Sequence, residues 1–327
     1  MAEVETPPSR SPGLSPSGPI LVTGMQRSGT TWVGRMLSLR RDVTYLGEPF
    51  NPYIPGPLLS LERKYQYTYI CEENESEYLQ AFESLTSFDY PLVQEVRAAR
   101  SAANVLRVGK RAAVFTASRV RGARALVKDP FAFFSAPWLA RRVGFSVVVL
   151  VRHPGAVADS MKRLGWSFDF KHLLDQPLLM RDLLAPWEGD MRDQIGTRDI
   201  VAQASLLWKI VYGTAARFRS EQKGFVFIRH EDLAEAPVPG FAALYEEVGL
   251  EFDSRVAMTI DEFTDEHNPR EQRTGEAKAV RLHSRSVAEG WRRRLSAPER
   301  DQVRQITDGV IGLFYPEESL PSREESG

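Results

Sequence analysis

The residues best placed to do chemistry lie in a glycine-bracketed turn, Gly24 to Gly29, between a short apolar β-type run and a helical pattern. Such a turn presents backbone N–H groups and the positive end of a helix dipole, which together bind an anion such as phosphate. A nucleoside triphosphatase loop has the same glycine spacing with a lysine directly after the second glycine. Here Thr30 and Thr31 follow instead, and the cation is Arg27. The turn therefore predicts a phosphate site without the lysine that reaches a γ-phosphate.

A second anion site is predicted after the strongest apolar run, Phe145 to Val151. Arg152 ends that run, Pro154 suits the first turn of a helix, and Ser160 falls on its second turn. A guanidinium at a strand end can bind a phosphate with two hydrogen bonds, and the spacing lets the serine hydroxyl reach the same group. The two segments are about 120 residues apart in the chain.

Both segments resemble the donor-binding motifs of the sulfotransferases that use 3′-phosphoadenosine 5′-phosphosulfate (PAPS). The run Gln26 to Trp32 is similar to the family's 5′-phosphosulfate loop, often written P-K-S-G-T-T-W, with Arg27 where lysine is usual. The run from Arg152 to Ser160 is similar to its 3′-phosphate segment. A third run, Arg281 to Trp291, looks like the late loop that closes over the nucleotide, in the form seen in the bacterial branch. In it, Arg285 is a candidate phosphate contact or a surface arginine.

The resemblance covers roughly residues 19–315 and implies PAPS as the sulfuryl donor. We expect no metal, because the transfer requires none and the five histidines are scattered without an H-x-x-x-H pair. The donor-binding residues that it implies are Arg27, Ser28, Gly29, Thr30, Thr31, Trp32, Arg152, Ser160 and Arg285. Trp32 also fits helix packing, and His230 in Phe227 to Leu233 fits a packed or capping residue.

Transfer of a sulfuryl group to a hydroxyl by in-line attack requires a base for the acceptor proton and positive groups for the developing charge. Glu48 directly follows a predicted strand, so it should emerge at the same sheet edge as the glycine turn, and a similar E-P context in the carbohydrate-type and bacterial branches supports it as the base. A capping or salt-bridged surface glutamate is the alternative. Arg27 and Lys128 are the candidates for charge stabilisation. Lys128 could instead pair with Asp129 or Glu48 and only position it.

Apolar runs and helical patterns alternate along the chain, which predicts an α/β fold, a doubly wound and mostly parallel sheet flanked by helices, with a helical lid on the acceptor side. The predicted strands are Ile20 to Thr23, Val43 to Leu46, Ala125 to Val127, Phe145 to Val151 and Phe225 to Ile228. In such sheets ligands lie at the carboxyl ends of the strands, where all of these motifs fall. Predicted helices include Leu92 to Leu106, Gly155 to Arg163, and Pro298 to Phe314.

The composition indicates one globular domain. We expect a disordered leader over residues 1–18, a single sulfotransferase-like domain over 19–315 and a loose tail over 316–327. The net charge of −1 gives no electrostatic case for nucleic acid binding or for a polybasic membrane patch, although basic residues crowd residues 97–128 in clusters that also fit solvated helix faces. A single cysteine, Cys71, no signal-peptide pattern and no long apolar run favour a cytoplasmic protein without a membrane span.

The acceptor is predicted only as a class. Aromatic and leucine-rich segments over 51–107 and 165–198 favour a small-molecule acceptor that is amphiphilic, lipid-like or glycosylated. Two other functions fit the glycine turn: a P-loop kinase for a small molecule, and a non-catalytic nucleotide-binding protein. Neither the nature of the acceptor atom nor the oligomeric state follows from the sequence.

Overall fold

A computed structural model describes residues 18–54, 56, 58, 61, 63–265, 268 and 289–318. In these residues the strands are β1 Ile20–Gly24, β2 Val43–Tyr45, β3 Arg124–Lys128, β4 Ser146–Val151 and β5 Phe225–Arg229. Each coincides with a predicted strand to within one residue at either end. They form one parallel sheet in the order β2-β3-β1-β4-β5, which confirms the predicted fold class.

Helices connect the strands. Their bounds are α1 Thr30–Leu37, α2 Leu79–Thr86, α3 Leu92–Ala98, α4 Ala102–Val120, α5 Ala136–Trp138, α6 Pro154–Leu164, α7 Lys171–Leu174, α8 Pro177–Leu179, α9 Glu188–Asp193, α10 Ile200–Glu221, α11 His230–Glu235, α12 Pro237–Glu247, α13 Ser254–Thr264, α14 Trp291–Arg294 and α15 Ala297–Thr307. Short 3₁₀ turns occupy Glu75–Glu77, Pro130–Ser135, Ala185–Trp187, Ile311–Leu313 and Pro316–Glu318, and π turns occupy Leu139–Val143 and Met180–Leu184.

Both faces of the sheet are buried, as a parallel sheet requires. On one face Ile20 and Val22 pack with Val33 of α1 and with side chains of α12 and α13. On the other face Leu21 packs in a larger cluster that includes residues of α6 and α10. Because successive residues of a strand point to opposite faces, β4, which is apolar from Val147 to Val151, buries every residue.

The sheet register explains why distant segments meet. β1 lies between β3 and β4, with Gly24 opposite Leu150 and Val22 opposite Lys128. The chain leaves the carboxyl ends of β1 and β4 side by side, and ligands of open α/β sheets bind at such a switch in strand order. The residues after Gly24 and after Val151 therefore lie next to each other.

Two predicted helices differ from the structure. The predicted helix Leu92 to Leu106 is two helices, because the Ser101 side chain caps a new one by accepting from the Asn104 N–H, and α4 then continues to Val120. The predicted helix Pro298 to Phe314 ends at Thr307, two residues before Gly309 with its left-handed φ of 77°. No helix among the described residues has the length and apolar character needed to cross a bilayer.

Candidate active site

The glycine turn after β1 is held by positions that only glycine fits. Gly24 has φ 143°, and a Cβ there would lie 2.4 Å from the Leu150 carbonyl oxygen of β4. Gly29 caps α1 with φ 100°, and a Cβ there would lie 2.5 Å from the His230 ring. Arg27 also has a positive φ, 70°, which is unusual for a residue with a side chain. The loop therefore passes close to β4 and α11 with its backbone amides at the start of α1.

The two predicted anion sites are in direct contact. Arg152 Nη1 donates to the Arg27 carbonyl oxygen at 2.9 Å, and Arg27 Nε donates to Ser160 Oγ at 2.9 Å. The Arg27 guanidinium also lies 5.3 Å from the centre of the Trp166 ring. Arg27, Arg152 and Ser160 thus form one cluster, although the first two lie 125 residues apart in sequence.

This cluster concentrates positive charge in a poorly hydrated place. Burial, together with the neighbouring charges of Arg152 and Arg163, lowers the pKa of Arg27 to about 10. Burial also lowers the pKa of Arg152. Because like charges at short range disfavour one another, an anion bound between these guanidiniums would relieve the repulsion. The site fits a phosphate or sulfate group.

The other predicted donor residues lie around the same loop. Ser28 and Thr30 are buried, and Thr30 and Thr31 line the cavity described below. Trp32 packs on the rings of His230 and Phe241, with centroid distances of 5.3 and 5.2 Å, and this contact agrees with a packing role. Arg285 lies outside the described residues.

His230 is the first residue of α11 and packs directly under the glycine turn. It is buried, and burial together with the positive charge of Arg152 lowers its pKa well below the usual value. The imidazole is therefore neutral near neutral pH, in agreement with the predicted packed role.

Glu48 lies three residues after β2 and is held on both carboxylate oxygens. Its Oε1 forms an ion pair with Nζ of Lys128, a side chain that is only 3% exposed, and its Oε2 accepts from Asn51 Nδ2. The stem of Lys128 passes beside Gly34 of α1, where a Cβ would lie 3.0 Å from the lysine Cβ and Cγ. The sequence predicted either Asp129 or Glu48 as the ion-pair partner of Lys128, and in the structure the partner is Glu48.

Asp129, the residue after β3, links the two sides of this arrangement. Its carboxylate accepts from the backbone N–H of Phe50 at 2.6 Å and from that of Phe131 at 2.9 Å. Burial, followed by the charge of Glu48, raises the pKa of Asp129 to about 8. Asp129 therefore fixes the backbone on the carboxyl side of Glu48.

Gln26 and Tyr67 form a contact that the sequence did not indicate. The backbone N–H of Gln26 donates to the Tyr67 hydroxyl oxygen at 3.2 Å. The hydroxyl in turn donates its own proton to Oε1 of the Gln26 side chain. Tyr67 is fully buried and has a left-handed φ of 56°. With Oε1 engaged, the amide of Gln26 is oriented, and Gln26 lines the cavity. Gln26 departs from the proline of the family's loop, which marks the position in the sequence but does not predict Tyr67 as its partner.

A cavity of about 590 Å³ joins the glycine turn to Glu48. Its lining combines the polar donor-side residues with aromatic and aliphatic side chains at the outer end. The lining residues are Gln26, Arg27, Thr30, Thr31, Glu48, Asn51, Tyr53, Ile54, Gln66, Pro130, Phe131, Met161, Gly165, Trp166 and Ser167. The volume is in the range of small-molecule sites.

The leucine-rich segment from His172 to Trp187 contributes to the core. Leu173, Leu179 and Leu184 are fully buried. In the part of the chain that the structure describes, no group of three or more His, Cys, Asp or Glu side chains is arranged to hold a metal ion.

A family model described as "Sulfotransferase family" matches residues 19–254. No curated protein is similar enough in sequence to match the chain.

Solved structures with similar folds have low sequence identity. The sulfotransferase domain from the curacin biosynthetic pathway is 16% identical, with 88% of this chain and 95% of that chain covered and a TM-score of 0.45. Sulfotransferase STF9 from Mycobacterium avium is 12% identical, with 92% and 78% covered and a TM-score of 0.45. Mouse sulfotransferase SULT7A1, complexed with PAP, is 11% identical, with 92% and 87% covered and a TM-score of 0.43.

Proposed function

The chain belongs to the sulfotransferase family, and from its site we propose that it transfers a sulfuryl group from PAPS to a hydroxyl of a small amphiphilic acceptor. The observation that supports this most is the contact between the two anion sites. Arg27 and Ser160 are hydrogen-bonded to each other, Arg152 donates to the backbone of Arg27, and the cavity that Arg27 lines also contains Glu48.

Donor binding uses both anion sites. The backbone N–H groups of the glycine turn, with Thr30 and Thr31, face the 5′-phosphosulfate, and Arg152 with Ser160 binds the 3′-phosphate. The crowding of Arg27, Arg152 and Arg163 supports a ligand with several negative charges. When bound, PAPS supplies the sulfuryl group, whose bond to the 5′-phosphate oxygen breaks as the acceptor oxygen bonds to sulfur.

Glu48 is the base that takes the acceptor's hydroxyl proton. Its carboxylate still has acceptor positions, because each oxygen has two lone pairs and one donor occupies each. Lys128 is a positioning residue in this proposal, since its ammonium is buried against Glu48 and does not line the cavity. Arg27 is the cation closest to the transferred group, and the oriented amide of Gln26 adds a donor beside it.

Ligand stabilisation tests donor identity without knowledge of the acceptor. Adenosine 3′,5′-bisphosphate in EDTA should raise Tm by several degrees, because a ligand at about a hundred times its Kd stabilises by about 2.7 kcal/mol. ATP with magnesium should stabilise weakly. Stabilisation by magnesium ATP and none by the bisphosphate would establish the kinase alternative instead.

The role of Glu48 is tested by Glu48→Gln, with transfer detected as a mass gain of one SO₃ on an acceptor found by screening amphiphilic alcohols with PAPS. We expect a loss of about 10²–10⁴-fold in kcat, with bisphosphate stabilisation unchanged. Lys128→Met should lower kcat and shift its pH profile, and Lys128→Arg should restore part of the rate. Undiminished transfer by Glu48→Gln would exclude Glu48 as the base. Bisphosphate binding by the unmodified chain with no transfer to any screened acceptor would favour the non-catalytic nucleotide-binding alternative.

A further inference from the structure

The helices α3 and α4 expose large apolar side chains. α4 has 19 residues, of which only Val108, Phe115 and Ser118 are buried. On its outer side Leu106 is 62% exposed and Val120 is 82% exposed. The further exposed apolar residues of the two helices are Leu92, Val93, Val96, Val105 and Val114. Large apolar side chains exposed on two consecutive helices that contact each other are typical of a binding surface. We call it the α3–α4 surface.

The same surface is strongly basic. Residues 92–121 hold seven basic residues and one acid, a net charge of +6 in a chain whose net charge is −1. The basic residues are Arg97, Arg100, Arg107, Lys110, Arg111, Arg119 and Arg121. The acid, Glu95, is completely buried, so the helices show no acidic side chain to solvent. Arg119 pairs with Asp89 at 3.2 Å, on the segment before α3.

From these two features we propose that the α3–α4 surface is a peripheral docking surface for a lipid bilayer that contains anionic lipids. Exposed Val and Leu side chains with interspersed Lys and Arg are the composition of segments that lie in the headgroup region. The apolar side chains enter the acyl boundary, and the basic side chains contact the lipid phosphates and carboxylates.

Charge complementarity favours this occupant over two others. A two-fold dimer would place the same patch on both subunits, so two surfaces of net charge +6 would face each other. A nucleic acid backbone would use the basic residues but would leave Leu106 and Val120 without an apolar partner. An anionic bilayer satisfies both kinds of side chain.

The surface is connected to the rim of the cavity. Burial lowers the pKa of Arg63, and the charge of Glu95 on the inner side of α3 opposes that shift. Arg63 Nη1 in turn donates to the carbonyl oxygen of Ile54 at 2.8 Å, and Ile54 lines the cavity. Arg63 thus links the inner side of α3 to the loop that lines the cavity.

Vesicle flotation tests the docking surface directly. The full chain should float with phosphatidylcholine vesicles that contain phosphatidylserine and not with phosphatidylcholine alone, and added salt should weaken the binding. The pair Arg97→Glu and Lys110→Glu should reduce binding by at least tenfold, since each basic residue near the surface contributes roughly a fivefold factor. The pair Val93→Glu and Leu106→Glu should abolish it.

Met258→Glu with Arg304→Glu is the matched control, because it replaces one apolar and one basic residue with glutamate at exposed positions of α13 and α15. The control should float like the unmodified chain, and all variants should keep their bisphosphate stabilisation. No flotation with phosphatidylserine, or equal flotation by every variant, would overturn the proposal. A dimer that dissociates on Leu106→Glu would also overturn it. So would displacement of the chain from vesicles by duplex DNA, if only the Arg97→Glu and Lys110→Glu variant loses vesicle binding. Bisphosphate stabilisation and Glu48→Gln report on the transferase proposal separately.

Discussion

The donor end and the acceptor end of the cavity differ in the elements that supply their side chains. At the donor end, Arg27 and Arg152 follow the adjacent strands β1 and β4, and Ser160 lies on the helix after β4. At the acceptor end, Tyr53 and Trp166 lie between regular elements and are 67% and 43% exposed. Sheet register fixes the first set, whereas loop conformation fixes the second. The donor end should therefore respond to mutation by loss of binding, and the acceptor end by altered acceptor preference.

The largest effect is expected for Gly29→Ala at the donor end. A Cβ at this position combines a φ of 100° with a contact of 2.5 Å to His230, so the loop must move. Displacing even one amide that binds a phosphate costs about 1.5–3 kcal/mol, and we expect bisphosphate affinity to fall by on the order of a hundredfold as several amides shift. Isothermal titration of the variant measures this loss.

Gly122→Ala is its control. Gly122 also has a positive φ, 60°, but no atom lies within 4 Å of its added Cβ. It should cost only the backbone strain of roughly 1–2 kcal/mol in unfolding free energy and leave bisphosphate affinity unchanged. Equal affinity losses in the two variants would show that the His230 contact is irrelevant to the loop.

The next effect is expected for Arg152→Lys. Lysine keeps the charge but cannot make the paired contact of a guanidinium, nor the same contact with the Arg27 carbonyl. Adenosine 3′,5′-bisphosphate should bind roughly tenfold to a hundredfold more weakly, whereas adenosine 5′-monophosphate, which lacks the 3′-phosphate, should lose little. The ratio of the two affinities is the measurement. An equal loss for both nucleotides would place Arg152 away from the 3′-phosphate.

The sequence predicted the parts of the site that sheet register fixes better than the parts that loop conformation fixes. Short apolar runs located the five strands of the described residues, and register alone places the residues at their carboxyl ends, Arg152 and Lys128 among others, at one edge of the sheet. The bond between Gln26 and Tyr67 joins the turn after β1 to an irregular segment 41 residues away, and no local pattern encodes it. The Asn51 contact to Glu48 and the helix start at Ser101 depend on single side-chain hydrogen bonds. Such details follow from tertiary geometry, which periodicity does not specify.

A smaller effect is expected on the pH dependence of stability, to which His230 and His172 should contribute differently. Burial lowers the pKa of both His230 at the donor end and His172, which contacts Tyr53 at the acceptor end. A histidine whose folded pKa lies below its unfolded value stabilises the fold fully above about pH 6.5, and that stability is lost as the pH falls. Each can contribute at most about 1.4 kcal/mol per pH unit.

We therefore expect the unfolding free energy to decline from about pH 7 to pH 5, with a shallower decline in His230→Gln. His172→Gln should change the slope less, because its ring is only half-buried and its pKa is less depressed. Urea unfolding at several pH values gives the slopes. A steeper decline in His230→Gln than in the unmodified chain would contradict a neutral buried imidazole.

The smallest expected effect on donor binding is that of Trp166→Ala, and it locates the border between the two ends. Trp166 faces Arg27 through its ring and also lines the outer cavity, whereas Tyr53 lines the outer cavity and contacts His172. A cation–π contact at an exposed ring contributes about 0.5–1 kcal/mol, so bisphosphate Kd should rise twofold to fivefold in Trp166→Ala and stay unchanged in Tyr53→Ala. Both variants should raise the KM for an amphiphilic acceptor and leave kcat close to that of the unmodified chain. If Tyr53→Ala weakened bisphosphate binding as much as Trp166→Ala, the acceptor rim would be coupled to the anion sites, and the two ends could not evolve or be engineered independently.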